Sequence, residues 1–148
     1  MVHHGRRSDL TRIPAPDGVA PATAYTHVVM GTGRFVAISG QLALDEDGKL
    51  VGEDDAAAQA RQVFENLRRC LASAGAGFDD VVKLTYFVTD MAHMAAIRTA
   101  RAAHIPDDRL PAASAVQVAA LVRPEFLMEI EAFAVISEQV EQRVGRGR

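Results

Sequence analysis

The last apolar segment of the chain carries two carboxylates, Glu129 and Glu131, separated by one residue. Successive side chains of a strand point to opposite faces, so this spacing puts both carboxylates on the same face. Two carboxylates on one face are costly to bury and ionise together, and we expect at least one to be paired, solvated or shifted in pKa. Glu129 is therefore a candidate functional group, and a solvated sheet face is the alternative interpretation.

Three other features contain residues that could take part in chemistry or metal binding. Ser39-Gly40-Gln41 closes an apolar run, and Gly40 there can supply the backbone angle of a turn that ends a strand. The single Cys70 has no histidine near it in sequence and is interpreted as a small core thiol, which fits a reducing compartment. His3 and His4 have no further ligands at metal spacing, so we expect neither a metal site nor a cofactor.

Composition limits the classes of protein that fit. A chain of 148 residues, 49% hydrophobic and 24% charged, is long enough for one domain with a core. The formal net charge of -3 argues against nucleic acid as a partner. No apolar stretch approaches the length of a membrane span, and the first residues lack the apolar core of a signal peptide. These features predict a cytoplasmic protein with no membrane partner.

The hydrophobic periodicity predicts a ββαβαββ order between an extended arm, residues 1–24, and a flexible polar tail, residues 138–148. Residues 25–30 and 34–39 are expected to pair as a hairpin across Gly31-Thr32-Gly33. The remaining predicted elements are a helix from Asp54 or Asp55 to about 74, a strand over 81–89, a helix from Asp90 to about 103, and strands over 113–121 and 127–136.

This order predicts an α+β domain over residues 25–137, in which two helices pack on one face of a mixed sheet. Apolar residues fall on both faces of the last two strands. A domain this small has no other layer to cover the second face, so we expect a partner chain to cover it.

Three segments, in this order and spacing, resemble the RidA/YjgF family of reactive-intermediate deaminases, which is also described as endoribonuclease L-PSP. They are Val36-Ala-Ile-Ser-Gly-Gln41, Leu110-Pro-Ala-Ala-Ser-Ala-Val-Gln-Val118 and Met128-Glu-Ile-Glu-Ala-Phe-Ala-Val135. The resemblance spans about residues 25–136. It implies a two-layer chorismate-mutase-like fold and a homotrimer with small-molecule clefts between adjacent subunits.

The resemblance also implies roles for single residues. Glu129 matches a glutamate that helps to position or activate water, and Ala113 stands where deaminating relatives carry an arginine that grips the substrate carboxylate. Arg98, where many relatives carry asparagine, and Arg123, in the turn before Glu129, are candidates to replace that arginine. An exposed surface side chain is the alternative for both. The cleft is further expected to involve Tyr25, Ser39, Gly40, Phe87 and Ser114.

The implied reaction is hydrolysis of an imine or enamine to a carbonyl compound and ammonia. Ala113 cannot bind a carboxylate bidentately as a guanidinium does, so we expect a divergent member acting on a related metabolite. A non-catalytic ligand-binding or chaperone-like trimer is the alternative. Endoribonuclease activity or translation inhibition is the third, and the negative net charge argues against it.

Overall fold

A computed structural model describes residues 9–138 of the chain. The described residues begin with three strands: β1 is Thr11–Ile13, β2 is Val28–Met30 and β3 is Gly33–Gln41. Helix α1, Ala56–Ser73, is followed by β4, Val81–Val88, and by helix α2, Met94–Ala102. The last strands are β5, Ala112–Gln117, and β6, Met128–Ser137. Short 3-10 turns lie at Phe78–Asp80, Met91–His93 and Asp107–Arg109.

The main sheet has the order β3-β6-β4-β5. Strand β6 pairs antiparallel with both β3 and β4, whereas β4 and β5 run parallel. A parallel pair needs a crossover connection, and α2 provides it. Both helices contribute to one core with the sheet, which confirms the α+β, chorismate-mutase-like architecture with a mixed sheet.

Helix α1 follows the prediction closely. The Asp55 side chain accepts a hydrogen bond from the Ala58 backbone N–H at 3.0 Å, as an N-cap residue should. Gly75, with a φ of 80°, lies just past the end of the helix, a position that favours glycine. The buried stripe contains the predicted Ala60, Val63, Phe64, Leu67 and Leu71, together with Gln59.

The predicted hairpin is wrong. Strand β2 pairs antiparallel with β1, in the segment predicted to be an extended arm, and forms a separate two-stranded sheet. Strand β3 pairs instead with β6, with Gly33 opposite Ser137. A Cβ at position 33 would overlap the Ile136 carbonyl, so glycine permits this close start of the strand. The long-range pairing of two apolar strands thus prevails over the proximity of neighbours in sequence.

Two boundaries also differ from the prediction. Asp90 caps the 3-10 turn Met91–His93, with Oδ1 accepting from the Ala92 N–H at 2.8 Å, and α2 begins only at Met94. Strand β5 ends at Gln117 rather than 121, because its partner β4 ends at Val88. The predicted tail lies, after its first residue, outside the described residues. No helix in residues 9–138 is long and apolar enough to cross a membrane.

Candidate functional site

The sheet presents one face to the helices and leaves the other uncovered within a single chain. We call the second the open face. The strand registers and the alternating burial of β6 assign its residues. They include Phe35, Ala37, Lys83, Thr85, Phe87, Ala112, Ser114, Val116, Glu129, Glu131, Phe133 and Val135.

Glu129 occupies the end of the open face nearest the start of β6. It is half-buried and pairs across the sheet with Phe87, which in turn pairs with Val116. The Glu129 carboxylate lies against Gly40, where a Cβ would overlap Oε2 and the carbons next to it. Glycine at this position therefore leaves the space that the carboxylate fills.

A β-bulge brings Ser39 and Gly40 to Glu129. The pairing of β3 with β6 shifts register between Ile38 and Gln41, so the two residues between them fall outside the ladder. The Gln41 Nε2 donates to the Ser39 carbonyl oxygen at 3.1 Å. Bulges commonly re-aim side chains next to active sites. Gly40, Phe87 and Glu129 thus lie together, as a binding cleft would require, and Ser39 precedes Gly40 in the bulge.

The next row of the open face is polar. Glu131 pairs with Thr85, and Thr85 pairs with Ser114 on the edge strand. Both glutamates are half-buried and share the face that the period-two pattern predicts. Ser114, Thr85 and Glu131 therefore form the row next to Val116, Phe87 and Glu129 on the same face of the sheet. A ligand at the Glu129 end of the open face would therefore meet two carboxylates, two hydroxyls and the Phe87 ring.

Tyr25 and Ala113 lie elsewhere in the chain. Ala113 pairs with the buried Leu84, so it points toward the helices and packs against the core. Tyr25 is held beside the start of β5 by its neighbour Thr26. The Thr26 Oγ1 donates to the Leu110 carbonyl at 2.6 Å, and its N–H donates to the Pro111 carbonyl at 3.1 Å. In one chain, the predicted site residues therefore divide between two locations.

The two arginines proposed as replacements differ in their surroundings. The Arg123 Nε lies 3.2 Å from Glu125 Oε2, and its guanidinium carbon lies 4.6 Å from the centre of the Phe126 ring. The Arg123 guanidinium thus already contacts Glu125 and Phe126 within its own turn. Arg98 is exposed on α2, and its charge acts on the nearby Tyr86 phenol.

Sequence reasoning missed a pocket under the N-terminal segment. It has a volume of about 650 Å³ and involves Tyr25, together with Arg12 from β1 and Arg101 from α2. Arg101 is buried on the same helix stripe as Met94 and Ile97. A basic residue at the i+7 position of an apolar stripe was the available signal. Residues 9–138 contain no group of three or more His, Cys, Asp or Glu that could hold a metal ion.

Comparisons with known proteins agree with this architecture. The family model for endoribonuclease L-PSP matches residues 16–136. The 3-aminoacrylate deaminase RutC of Acinetobacter baylyi is 38% identical over 119 residues, which cover 80% of this chain and 93% of that protein. A RutC family protein of Synechocystis is 36% identical over 118 residues, 79% of this chain and 89% of its own length.

Solved structures show the same fold. A Rid family protein of unknown function from Yersinia pestis superposes with a TM-score of 0.74 at 37% identity, over 84% of this chain and 97% of that one. RidA from an Antarctic Psychrobacter gives a TM-score of 0.64 at 35% identity, over 88% of this chain and 100% of that one. Fold and motifs together define a Rid-type domain. The chain belongs to the RidA/YjgF family, which the endoribonuclease L-PSP model describes.

Proposed function

We propose that this protein hydrolyses a small imine or enamine to a carbonyl compound and ammonia, with Glu129 acting on the attacking water. The observation that carries the proposal is the Glu129 carboxylate, half-buried on the open face against Gly40 and beside Phe87. The relative that is named a 3-aminoacrylate deaminase supports the reaction class.

The reaction needs one group close to the reacting carbon that can accept a proton and then donate it. The water oxygen bonds to the imine carbon, and the electron pair of the C=N bond moves to nitrogen, which takes a proton. Ammonia then leaves as the C=O bond forms. Glu129 is suited to accept the proton from water and to return it to nitrogen. The Phe87 ring beside it forms an apolar wall that limits access of other water molecules.

We further propose that the working unit is a homotrimer with its ligand clefts between adjacent copies. The open face carries apolar side chains that one chain cannot cover, since Phe35 is 65% exposed and Val116 is 43% exposed. The rings of Phe35 and Phe133 lie 5.5 Å apart and form the centre of this apolar surface. A neighbouring copy would bury it and would bring its own Tyr25 region toward a cleft.

The alternative function is binding of a small ligand without catalysis. Ala113 favours it, because no guanidinium is present at the position that grips the carboxylate in deaminating relatives. Cleavage of RNA, which the family's description names, fits the site poorly. Glu129 and Glu131 share the open face and would repel a phosphodiester.

The test is ammonia release from freshly generated 2-aminoacrylate, 2-iminobutyrate and 3-aminoacrylate. Wild type is compared with Glu129→Gln and with Glu131→Gln, a matched change two residues along the same strand. We expect Glu129→Gln to lose at least about 100-fold in rate, and Glu131→Gln to stay within a few-fold of wild type.

Each outcome bears on a different part of the proposal. Absence of ammonia release by the wild type on all three compounds overturns the deaminase and favours the binding protein. Equal losses in the two variants overturn the assignment of Glu129. Both variants must keep the assembly state and melting temperature of the wild type for the comparison to count.

A further inference from the structure

Lys83 is the one cation on the open face of strands β3 to β6, within the part of the chain that the structure describes. It is half-buried, and it pairs across the sheet with Phe133 on one side and with Ala112 on the other. The register of β4 with β6 shifts between Val81 and Lys83, so a bulge directly precedes this side chain. A lysine among apolar neighbours on a sheet face requires a physical reason, because lysine is rarely buried unless it is paired.

Two carboxylates share this face with the single ammonium. Glu129 and Glu131 are both half-buried. None of the ion pairs between residues 9–138 includes Lys83 or either glutamate. In a single chain all three side chains are in contact with water, where a surface ion pair contributes little to stability. The open face of one copy therefore carries one positive and two negative charges that do not form ion pairs with one another.

The strand register places the ammonium within reach of only one of the two carboxylates. Lys83 precedes Thr85 on the same face of β4, and Glu131 lies opposite Thr85. Lys83 and Glu131 are therefore diagonal neighbours, a separation that long side chains span. Glu129 lies opposite Phe87, one row further along. Four residues of strand, about 13 Å, separate Phe87 from Lys83, so the ammonium does not reach Glu129.

Covering the open face with a second copy changes the energetics of these charges. The contact that buries the exposed Phe35 and Val116 side chains also removes water from the charged groups between them. A carboxylate that loses water must gain a partner or become neutral. Glu129 lies in the end row, beside the proposed cleft, whereas Glu131 lies one row further in. Glu131 therefore needs a counter-ion, and Lys83 is the cation beside it.

We infer that Lys83 is the counter-ion of Glu131 in the assembled protein, and that this ion pair leaves Glu129 as the carboxylate that acts on water. Lys83 is thus a positioning residue, because it acts through the carboxylate that it engages and not on the reacting atoms. The inference rests on the proposed function for the role of Glu129 and on the proposed assembly for the covered face. It assigns different roles to two glutamates that share one strand and one face.

The test is thermal melting of the full chain, combined with sedimentation velocity. Lys83→Met keeps the length of the side chain without its charge. It should lower the Tm by at least about 5 °C, because it leaves the Glu131 carboxylate uncompensated beneath the second copy. Lys83→Arg keeps the charge and should recover most of that loss. Lys49→Met, which changes the other lysine of the sequence in an exposed turn, is the matched control and should leave the Tm unchanged.

The distinguishing result is the rescue of Lys83→Met by a second change. Glu131→Gln removes the charge that needs Lys83, so the double variant should regain most of the lost Tm. Glu129→Gln removes the same charge one row away, and combined with Lys83→Met it should regain less than about a quarter. A role for Lys83 in packing alone would give no difference between the two double variants.

Glu131→Gln by itself should melt as the wild type does. Its amide oxygen still accepts a hydrogen bond from the Lys83 ammonium, and the long lysine side chain can extend toward water. If Lys83→Met alone does not fold, a folded protein regained by adding Glu131→Gln, but not by adding Glu129→Gln, gives the same support.

A Tm of Lys83→Met equal to that of the wild type would overturn the ion pair, and so would equal rescue by the two glutamine changes. A wild type that sediments as a monomer would overturn it as well, because its open face stays in water. Absence of ammonia release by the wild type would overturn the role of Glu129 and leave the ion pair, whose measurement requires no turnover.

The rate of the rescued variant tests the division of roles between the glutamates. Lys83→Met combined with Glu131→Gln keeps Glu129, so it should release ammonia within about tenfold of the wild-type rate. A loss as large as that of Glu129→Gln would overturn the assignment of the water to Glu129 alone.

Discussion

At the scale of single residues, the fit between Gly40 and Glu129 defines the candidate site. The carboxylate occupies the volume that a side chain at position 40 would take. The shared face of Glu129 and Glu131 could be predicted from their spacing, because strand geometry has a fixed period. The contact with Gly40 could not, because it depends on a bulge that joins residues distant in sequence.

Gly40→Ala should displace the Glu129 carboxylate while leaving the fold intact. The overlapping atoms belong to a flexible side chain, and the backbone at position 40 has no left-handed φ, so Ala is accommodated when Glu129 rotates away. We expect a rate loss of about 10- to 100-fold in ammonia release, with stability within about 1 kcal/mol of wild type.

The control for this change is Gly77→Ala, where an added Cβ meets no atom within 4 Å and φ is -138°. Rate and unfolding free energy should both match those of the wild type. Full activity in Gly40→Ala would show that the position of Glu129 has no bearing on the reaction.

Arg101 shows what sequence alone leaves out at this scale. Its place on a buried stripe could have been read from periodicity, since it follows Met94 and Ile97 at helical spacing. Its hydrogen bond to the Ala24 carbonyl could not, because the acceptors that surround a side chain are set by tertiary contacts. The same holds for Arg123, whose partners Glu125 and Phe126 are neighbours in sequence but form a cluster only in the folded turn.

At the scale of elements, helix α1 holds two loops in place through one buried side chain. Gln59 is fully buried. Its Nε2 donates to the carbonyls of Gly52 and Glu125 at 2.9 and 3.0 Å, and its Oε1 accepts from the Leu127 N–H at 2.9 Å. The helix thereby fixes the segment that leads into β6 and Glu129.

Gln59→Leu should destabilise the fold strongly, because it keeps the volume but removes three hydrogen bonds to the backbone. The Glu125 carbonyl and the Leu127 N–H lose their partner, whereas the Gly52 carbonyl still accepts from the Asp55 N–H. We expect the free energy of unfolding to fall by about 2–4 kcal/mol in a urea titration. Gln62→Leu is the control on the same helix. Within residues 9–138 the Gln62 side chain bonds only to the Asn66 side chain, at 2.9 Å, so its cost should stay below about 1 kcal/mol. Similar costs for the two variants would contradict this role of Gln59.

Helix α1 also carries a surface ion-pair cluster that predicts a pH dependence. Glu65 Oε2 lies 2.6 Å from Arg68 Nη2 and 2.9 Å from Arg69 Nε, and hydrogen bonding to Arg68 lowers the pKa of Glu65 to about 2. A lowered pKa in the folded state stabilises the fold above the unfolded pKa of about 4.5, and the gain is lost as pH falls toward 2.

Glu65→Gln should therefore melt below the wild type at pH 7, with the difference in Tm shrinking as pH falls from about 4.5 to about 2. Thermal melts across that range measure it, with Glu46→Gln in an exposed turn as the control. A Tm difference that stays constant down to pH 2 would contradict the assignment.

The elements differ in how far the sequence reveals them. Helix α1 could be predicted almost to the residue, because its cap, stripe and stop are all local signals. The partner of β2 could not, since the pattern shows that a strand exists without showing what it pairs with. Strand β1 in particular has three residues and no periodicity to reveal it.

At the scale of the whole molecule, the open face sets the expected assembly. Phe35 projects from it with 65% of its surface exposed and contacts only the Phe133 ring among the described aromatic residues. Two-sided apolar strands predicted the existence of this surface, and the family resemblance supplied the number of copies.

Phe35→Asp should shift the protein from the proposed trimer to smaller species, because a carboxylate would be buried at the contact between copies. Sedimentation velocity measures the change. Val122→Asp, at an apolar residue in the loop before β6 that is 76% exposed, should leave the distribution unchanged. A Phe35→Asp protein that sediments as the wild type does would place the contact elsewhere.

The order of strands has a consequence for the synthesis of the protein. Among residues 9–138, strand β6 is the last strand to leave the ribosome, yet it lies between β3 and β4 in the finished sheet. Until it emerges, β3 has no neighbour in the main sheet, and β3 and β4 both lack the strand that lies between them. The nascent chain therefore completes its core by inserting β6, so a chain that ends before Met128 lacks both the strand that joins β3 to β4 and the four core side chains that β6 contributes.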